Sequence, residues 1–233
     1  MKPGDPVAVR ELFEDIAPRY DALNDLLSLG LHRLWKRQVV QRLRPAAGQR
    51  LVDLCCGTGD LALVLAERVR PGGLVLGLDA AAAPLELARA RSARQPWLPL
   101  EWRLGDALAT GLPDGWADGA SMAYGLRNLA DPAAGLRELR RLLRPGGRAV
   151  LLDFNRPPEG GLPARFQRLY LRQVVVPAAR SFGLEQHYAY LESSLARFPT
   201  GPEQVELAHA AGFSSVRHQS LAAGLMGLLA LRA

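Results

Sequence analysis

The sequence predicts a doubly wound α/β fold: a mostly parallel sheet of seven strands with helices on both faces, a C-terminal β-hairpin and an N-terminal helical cap. Three observations predict it. Between Arg50 and Phe154, short apolar runs alternate with segments whose apolar residues recur at three- and four-residue steps, the pattern of strand, crossover helix and next strand. Pro71-Gly72-Gly73 and Pro145-Gly146-Gly147 each stop a helix ahead of a strand. Lastly, Leu51-Val52-Asp53-Leu54-Cys55-Cys56-Gly57-Thr58-Gly59-Asp60 carries an apolar run into a Gly-x-Gly turn and on into the periodic Leu61-Ala62-Leu63-Val64-Leu65-Ala66, a helix start. A chain of 233 residues with 48% hydrophobic content suits one domain. The pattern divides it into a cap over 1–45, a core over 50–154, and helices and terminal strands over 162–233.

In chain order, Val9, Leu12, Phe13 and Ile16 predict a helix over 7–17, stopped by Pro18. A second helix is expected over 22–28. A third opens on the basic Leu31-His32-Arg33-Leu34-Trp35-Lys36-Arg37 and runs to about Leu43. These helices precede the first strand and so cover a cleft rather than build the sheet. Tyr20, Asp21, Asn24, Asp25, His32 and Trp35 leave both a substrate lid and a solvated cap open for them. Strands are predicted over 50–54, 74–78, 100–104, 119–123 and 148–154. The helices between them are predicted over 59–69, 82–94 and 131–143, the last with Asp131 as N-cap and Pro132 as first helical residue. Beyond the loop Pro157-Pro158-Glu159-Gly160-Gly161, a helix over 163–176 carries Arg165, Arg168 and Arg172 beside Phe166, Leu169, Tyr170 and Val174. It reads either as a basic amphipathic helix on anionic lipid or as a packed lid with a solvated edge. A helix over 184–196 comes next. Thr200-Gly201-Pro202-Glu203 then predicts a capping box with proline at N1, opening a helix that ends at Gly212. The runs 213–220 and 224–231 can pair as a hairpin at the sheet edge.

Bulk properties narrow the function. Formal net charge is +6 and the sequence pI is about 9.9, which favours acidic partners or an anionic surface. Nucleic acid is not expected as a partner. Asn155-Arg156-Pro157-Pro158 lacks both the order and the stacking aromatic of the site that amino-group methylases use on DNA. No Gly-x-x-x-x-Gly-Lys-Ser/Thr is present, which argues against a P-loop NTPase. The two cysteines, Cys55 and Cys56, are adjacent and cannot supply a structural cross-link or a four-ligand zinc site. The histidines show no metal spacing, so no metal is expected. The N-terminus lacks the apolar core of a signal peptide and no run reaches the length of a spanning helix. A cytoplasmic or peripheral protein is expected.

In an open α/β sheet ligands bind outside the carboxyl ends of the strands, and the polar residues here sit in those loops. Asp53, Gly57, Thr58 and Gly59 follow the first strand, Asp79 and Ala80 the second, Asp106 and Ala107 the third. Ala123 and Tyr124, then Gly125-Leu126-Arg127-Asn128, follow the fourth. Glycines admit a ligand against bare backbone. A carboxylate ahead of the turn would repel a pyrophosphate and suit a cation. Asp79 can accept from both ribose hydroxyls, Asp106 from the adenine amino group, and Asp53 can face an ammonium or sulfonium. S-adenosylmethionine is such a ligand. A nicotinamide-dependent oxidoreductase shares the glycine turn, but Asp53 and Asp106 argue against it. A non-catalytic S-adenosylmethionine-binding regulator stays open.

Leu12-Phe13-Glu14-Asp15-Ile16-Ala17-Pro18-Arg19-Tyr20-Asp21-Ala22-Leu23-Asn24-Asp25, with Ser28-Leu29-Gly30-Leu31-His32-Arg33-Leu34-Trp35-Lys36-Arg37, resembles the N-terminal signature of the C-methyltransferases of menaquinone and ubiquinone synthesis. Tyr124-Gly125-Leu126-Arg127-Asn128 resembles their second signature, and Leu143-Arg144-Pro145-Gly146-Gly147 comes after it. Ala189-Tyr190-Leu191, Arg197-Phe198-Pro199-Thr200-Gly201-Pro202-Glu203-Gln204 and Ala223-Gly224-Leu225-Met226-Gly227 are most similar to the branch that methylates a phytylated naphthoquinone. One departure is Cys55, where methyltransferases more often have glycine. The resemblance implies a class I S-adenosylmethionine-dependent methyltransferase fold and methyl transfer to a ring carbon of a reduced lipid quinone. Arg127 and Asn128 are then candidates to stabilise the phenolate, with His32 an alternative proton acceptor. Tyr20, Trp35, Tyr124 and Arg127 are candidates to border the ring. A membrane-bound substrate implies peripheral contact with the cytoplasmic face of the plasma or thylakoid membrane, and a homodimer is left open.

Overall fold

The structure is a computed structural model that describes residues 5–17, 30–157, 160–171, 173, 177 and 185–233. The helix expected over 22–28 and the candidate Tyr20 lie outside the described residues. Helix α1 spans Pro6–Ile16, with the Asp5 carboxylate accepting from the Val7 and Ala8 N–H groups, and α2 spans Leu31–Leu43. The alternation then runs β1 (Arg50–Leu54), α3 (Asp60–Arg68), β2 (Leu74–Asp79), α4 (Ala82–Ser92) and β3 (Leu100–Leu104). It continues through β4 (Ala117–Ala123), a 3-10 turn at Leu126–Asn128, α5 (Pro132–Leu142) and β5 (Leu143–Phe154). Helices α6 (Leu162–Tyr170), α7 (Glu185–Arg197) and α8 (Gly201–Ala210) precede β6 (Ser215–Leu221) and β7 (Met226–Arg232).

The strands form one seven-stranded sheet in the order β3-β2-β1-β4-β5-β7-β6. β1 to β5 pair in parallel, while β7 lies antiparallel between β5 and β6. Strand order reverses between β1 and β4, so a crevice opens at their carboxyl ends. The inner parallel strands β1, β2 and β4 are largely buried and mostly apolar, whereas the edge strand β3 carries exposed Glu101 and Arg103. Val52, Leu54, Leu76 and Leu78 pack with Leu136, Leu139 and Leu142 of α5 on one side. Leu51 and Val75 pack with Val39 and Leu43 of α2 and Leu61 and Leu65 of α3 on the other. Each such leucine contributes roughly 1.5–3 kcal/mol through burial.

Two local expectations change. Strand β5 begins at Leu143, immediately after α5, by pairing with Ala117; the register then jumps to Gly119 and Arg148. Pro145-Gly146-Gly147 is therefore a bulge within the strand rather than a loop before it, which suits a proline that has no ladder N–H to donate. At α8 the first helical residue is Gly201, so Pro202 takes the second position and not the first, and the helix ends at Ala210. The Thr200 backbone N–H and hydroxyl both donate to the Glu203 carboxylate, at 2.7 and 2.9 Å. The helix expected over 163–176 is regular over Leu162–Tyr170, and most of its remainder lies outside the described residues.

Candidate active site

A cavity of about 500 Å³ opens at the carboxyl ends of β1 to β4. Its floor includes Cys55 and Gly57 from the turn after β1, Asp79 and Ala80 after β2, Asp106 and Ala107 after β3, and Ala123, Tyr124 and Asn128 after β4. Pro6, Val7, Val9, Arg10 and Phe13 of α1 form the opposite wall. The sequence expectation that these loops converge is met for Gly57, Asp79, Ala80, Asp106, Ala107, Ala123, Tyr124 and Asn128.

The glycine turn is shaped by close packing. Gly57 and Gly59 have φ of +54° and +83°, and a side chain on Gly59 would begin 2.4 Å from the Trp102 ring. Asp79 braces the turn: one carboxylate oxygen accepts from the Gly57 N–H at 2.7 Å and the other from the Ala81 N–H at 3.0 Å. Burial pushes the Asp79 carboxyl up in pKa, against the pull of these backbone donors. Asp106 accepts from the Leu108 N–H at 2.8 Å. The alanine-rich head of α4 brings no capping side chain of its own. Glu14 of α1 supplies one, its carboxylate accepting from the Ala82 and Ala83 N–H groups at 2.5 and 2.7 Å. That contact pins the cavity's outer wall to its floor.

Cys55 and Tyr124 are both non-glycine residues in the left-handed region, with φ of +54° and +62°. Each stores roughly 1–3 kcal/mol of backbone strain at the cavity edge. Where glycine is the easier residue, Cys55 is accommodated because Gly125 faces it: a side chain on Gly125 would start 2.7 Å from the Cys55 Cβ and 2.8 Å from its Sγ. Burial pushes both cysteine thiols well up in pKa, so neither is an activated nucleophile.

Several expected site residues lie off the cavity wall. Asp53, 1% exposed, lies beneath the turn, where it accepts from the Ser121 hydroxyl at 2.6 Å. Burial drives its pKa to about 7, with Ser121 and Lys36 pulling the other way. Thr58 and Gly59 belong to the turn but do not line the cavity; Arg91 donates to the Thr58 carbonyl and hydroxyl at 3.0 and 3.2 Å. His32 is buried and borders a separate cavity between α2 and α3, beside Lys36 and Asp60. It does not line the cavity at the strand ends. Trp35 packs into the core under α2 and does not line the cavity at the strand ends. Burial raises the Asp60 pKa, but Lys36 at 2.9 Å and Arg91 outweigh it and hold the carboxyl at about 2.

Arg127 also points away from the cavity. Its backbone N–H donates to Asp153 at 3.0 Å, Nε lies 3.3 Å from the same carboxylate, and the guanidinium sits 5.4 Å over the Phe154 ring. It reaches the site through its neighbour: Nη1 donates to Asn128 Oδ1 at 2.8 Å. The Tyr190 hydroxyl donates to the same oxygen at 2.9 Å, and Asn128 Nδ2 donates to the Tyr124 carbonyl at 2.8 Å. Burial raises the Asp153 pKa while Arg127 lowers it. Sequence reading missed Asp153, Tyr190, Ser121 and Glu14 as site supports. Only Glu14 left a local trace, a helix start of four alanines that needs a cap from elsewhere. Among the described residues no cluster of His, Cys, Asp and Glu could hold a metal ion.

Comparison with known proteins gives the family and the fold class. Residues 2–230 match the ubiE/COQ5 methyltransferase family. A 2-phytyl-1,4-naphtoquinone methyltransferase of Synechococcus elongatus is 49% identical over 230 residues, 98% of each chain. One from Thermosynechococcus vestitus is 50% identical over 94% of this chain and 96% of its own. The chloroplastic 2-phytyl-1,4-beta-naphthoquinone methyltransferase of Arabidopsis thaliana is 42% identical over 96% of this chain and 87% of its own. Among solved structures, a SAM-dependent methyltransferase from Aquifex aeolicus shares the fold with a TM-score of 0.61 at 16% identity, covering 98% of both chains. Another, from Thermotoga maritima, gives 0.65 at 21% identity over 95% of this chain and 98% of that one. By fold and by the match along nearly its whole length, the chain belongs to the ubiE/COQ5 methyltransferase family.

Proposed function

We propose that the protein transfers a methyl group from S-adenosylmethionine to a ring carbon of a reduced, phytylated naphthoquinone, 2-phytyl-1,4-naphthoquinol. The observation that carries this reading is the 42–50% identity, over nearly the whole chain, to relatives named for that substrate. The cavity suits a nucleoside. Its lining supports that reading, in which Asp79 takes ribose hydroxyls, Asp106 an exocyclic amine, and apolar residues of α1 the faces of a base. Asp53, buried behind the turn, sets a negative potential that favours a cationic ligand once ionised.

S-adenosylmethionine supplies an electrophilic methyl group. The acceptor carbon becomes nucleophilic when a phenolic proton leaves the reduced ring for water. It bonds to the methyl as the methyl–sulfur bond breaks, S-adenosylhomocysteine leaves, and loss of the ring C–H proton to water restores the aromatic ring. The protein must therefore align the two reactants, shield the methyl from attack by water and stabilise phenolate charge. Asn128 on the cavity wall is placed to donate to that oxygen, and Arg127 acts behind it as a fixed positive charge. Arg127, held by Asp153, acts as a fixed charge and not as the proton acceptor. The long substrate tail favours a peripheral enzyme. Leu162, Phe166 and Leu169 on α6 stand exposed beside Arg165, a pattern that fits an anionic lipid surface. Among the described residues no helix is long and apolar enough to cross a membrane.

The test is incubation with labelled S-adenosylmethionine and chemically reduced phytyl-naphthoquinone, with demethylmenaquinone and ubiquinone precursors in parallel arms. Label should enter the phytyl substrate fastest. Preference for another quinol would move the substrate assignment, and transfer to none would favour the non-catalytic, cofactor-binding alternative.

A further inference from the structure

The Asn128 side chain is unusual in how completely its orientation is set. An amide oxygen has two lone pairs, and both are filled, one by Arg127 Nη1 and one by the Tyr190 hydroxyl. Of the two N–H bonds, one goes to the Tyr124 carbonyl. Flipping the amide would set an NH₂ group against the Arg127 guanidinium, which can only donate, and an oxygen against the Tyr124 carbonyl. The orientation is therefore fixed, and the count leaves one N–H on a residue that lines the cavity. Donors on its oxygen polarise the amide and strengthen that remaining N–H as a donor.

Arg127 and Tyr124 belong to the same loop as Asn128, but Tyr190 comes from α7, 62 residues further along the chain. One face of α7 grips the loop twice. Tyr190 holds the Asn128 amide and Arg197, seven residues on, donates to the Arg127 and Leu129 carbonyls at 3.3 and 3.0 Å. Tyr190 is 4% exposed. Burial raises its pKa, which keeps the phenol protonated and donating near neutral pH.

We propose that Tyr190 is a positioning residue for methyl transfer: its hydroxyl clamps the Asn128 amide so that the remaining N–H is held toward the acceptor oxygen on which phenolate charge develops. This rests on the quinol methylation proposed above. The prediction for Tyr190→Phe, which keeps the ring and loses only the hydroxyl, is a fall in kcat of roughly tenfold, the size of one polarised hydrogen bond. The KM for S-adenosylmethionine should change by less than about twofold. In an Asn128→Ala background the hydroxyl has nothing to clamp, so adding Tyr190→Phe should lower kcat no further. In the protein without substrate, the Asn128 side-chain amide resonances, assigned by their loss in Asn128→Ala, should shift and exchange faster in Tyr190→Phe. An unchanged kcat, or an equal loss in both backgrounds, would overturn the proposal. So would unchanged amide resonances. The amide measurement needs no acceptor: a wild-type protein that methylates none of the quinols sinks the functional reading, whereas an active wild type with an unaffected Tyr190→Phe sinks only this one.

Discussion

Asp53 shows how burial and chemistry are linked at the scale of one residue. Its carboxyl rises from 3.8 to about 7 because the sheet and α2 remove it from water, more than Ser121 and Lys36 compensate. Between these two values the folded protein holds a proton that the unfolded chain releases, so stability falls as pH climbs from about 4 to about 7 and levels off above. Asp53→Asn should keep the Ser121 contact and flatten that slope, a difference of up to about 4 kcal/mol across the window. Chemical denaturation at several pH values checks it, and parallel curves for both proteins would mean that Asp53 is ionised throughout. The acid itself was legible in the sequence, and so was its place at a strand end. Its burial was not, because strand periodicity alone does not say which face is covered by a helix. The same limit applies to His32 and Trp35, whose direction depends on how α2 is rolled against the sheet.

Helix α1 works as an element through one carboxylate. Its apolar face, with Val9 and Phe13, closes the cavity while Glu14 caps α4, so the N-terminal helix is coupled to the floor that carries Asp79. Glu14→Ala should cost about 1 kcal/mol of stability, as other cap removals do. It should also weaken S-adenosylmethionine binding several-fold, because the wall loses its anchor. Titration calorimetry separates the two effects; unchanged affinity beside a lowered melting temperature would leave Glu14 as a cap only. The position of α1 over 7–17 follows from apolar spacing, yet its docking site does not. The alanine-rich start of α4 shows that a cap is missing but not that residue 14 supplies it, and the hydroxyl that Tyr190 sends to Asn128 leaves no local mark at all.

For the whole molecule, the alternation of strand and helix made the strands of the sheet readable to within about two residues, except for the early start of β5 at Leu143. Turn chemistry and periodicity agree from Arg50 to Phe154, and the terminal hairpin follows from its two apolar runs. The net charge of +6 and the exposed Leu162, Phe166 and Leu169 add a property that no single element shows. The protein should co-float with vesicles containing anionic lipid at low salt and dissociate as salt rises, and Phe166→Glu should weaken retention by about tenfold. Equal retention on neutral vesicles, or none on anionic ones, would rule out membrane contact through α6. The junction of β1 and β4 carries a consequence of another kind, for the order in which sequences can change. Cys55 can give way to glycine, which relaxes its backbone, but Gly125 cannot gain a side chain while Cys55 and Met122 stand against it. Divergence at this corner therefore has a direction, with the first step open at only one of the two positions.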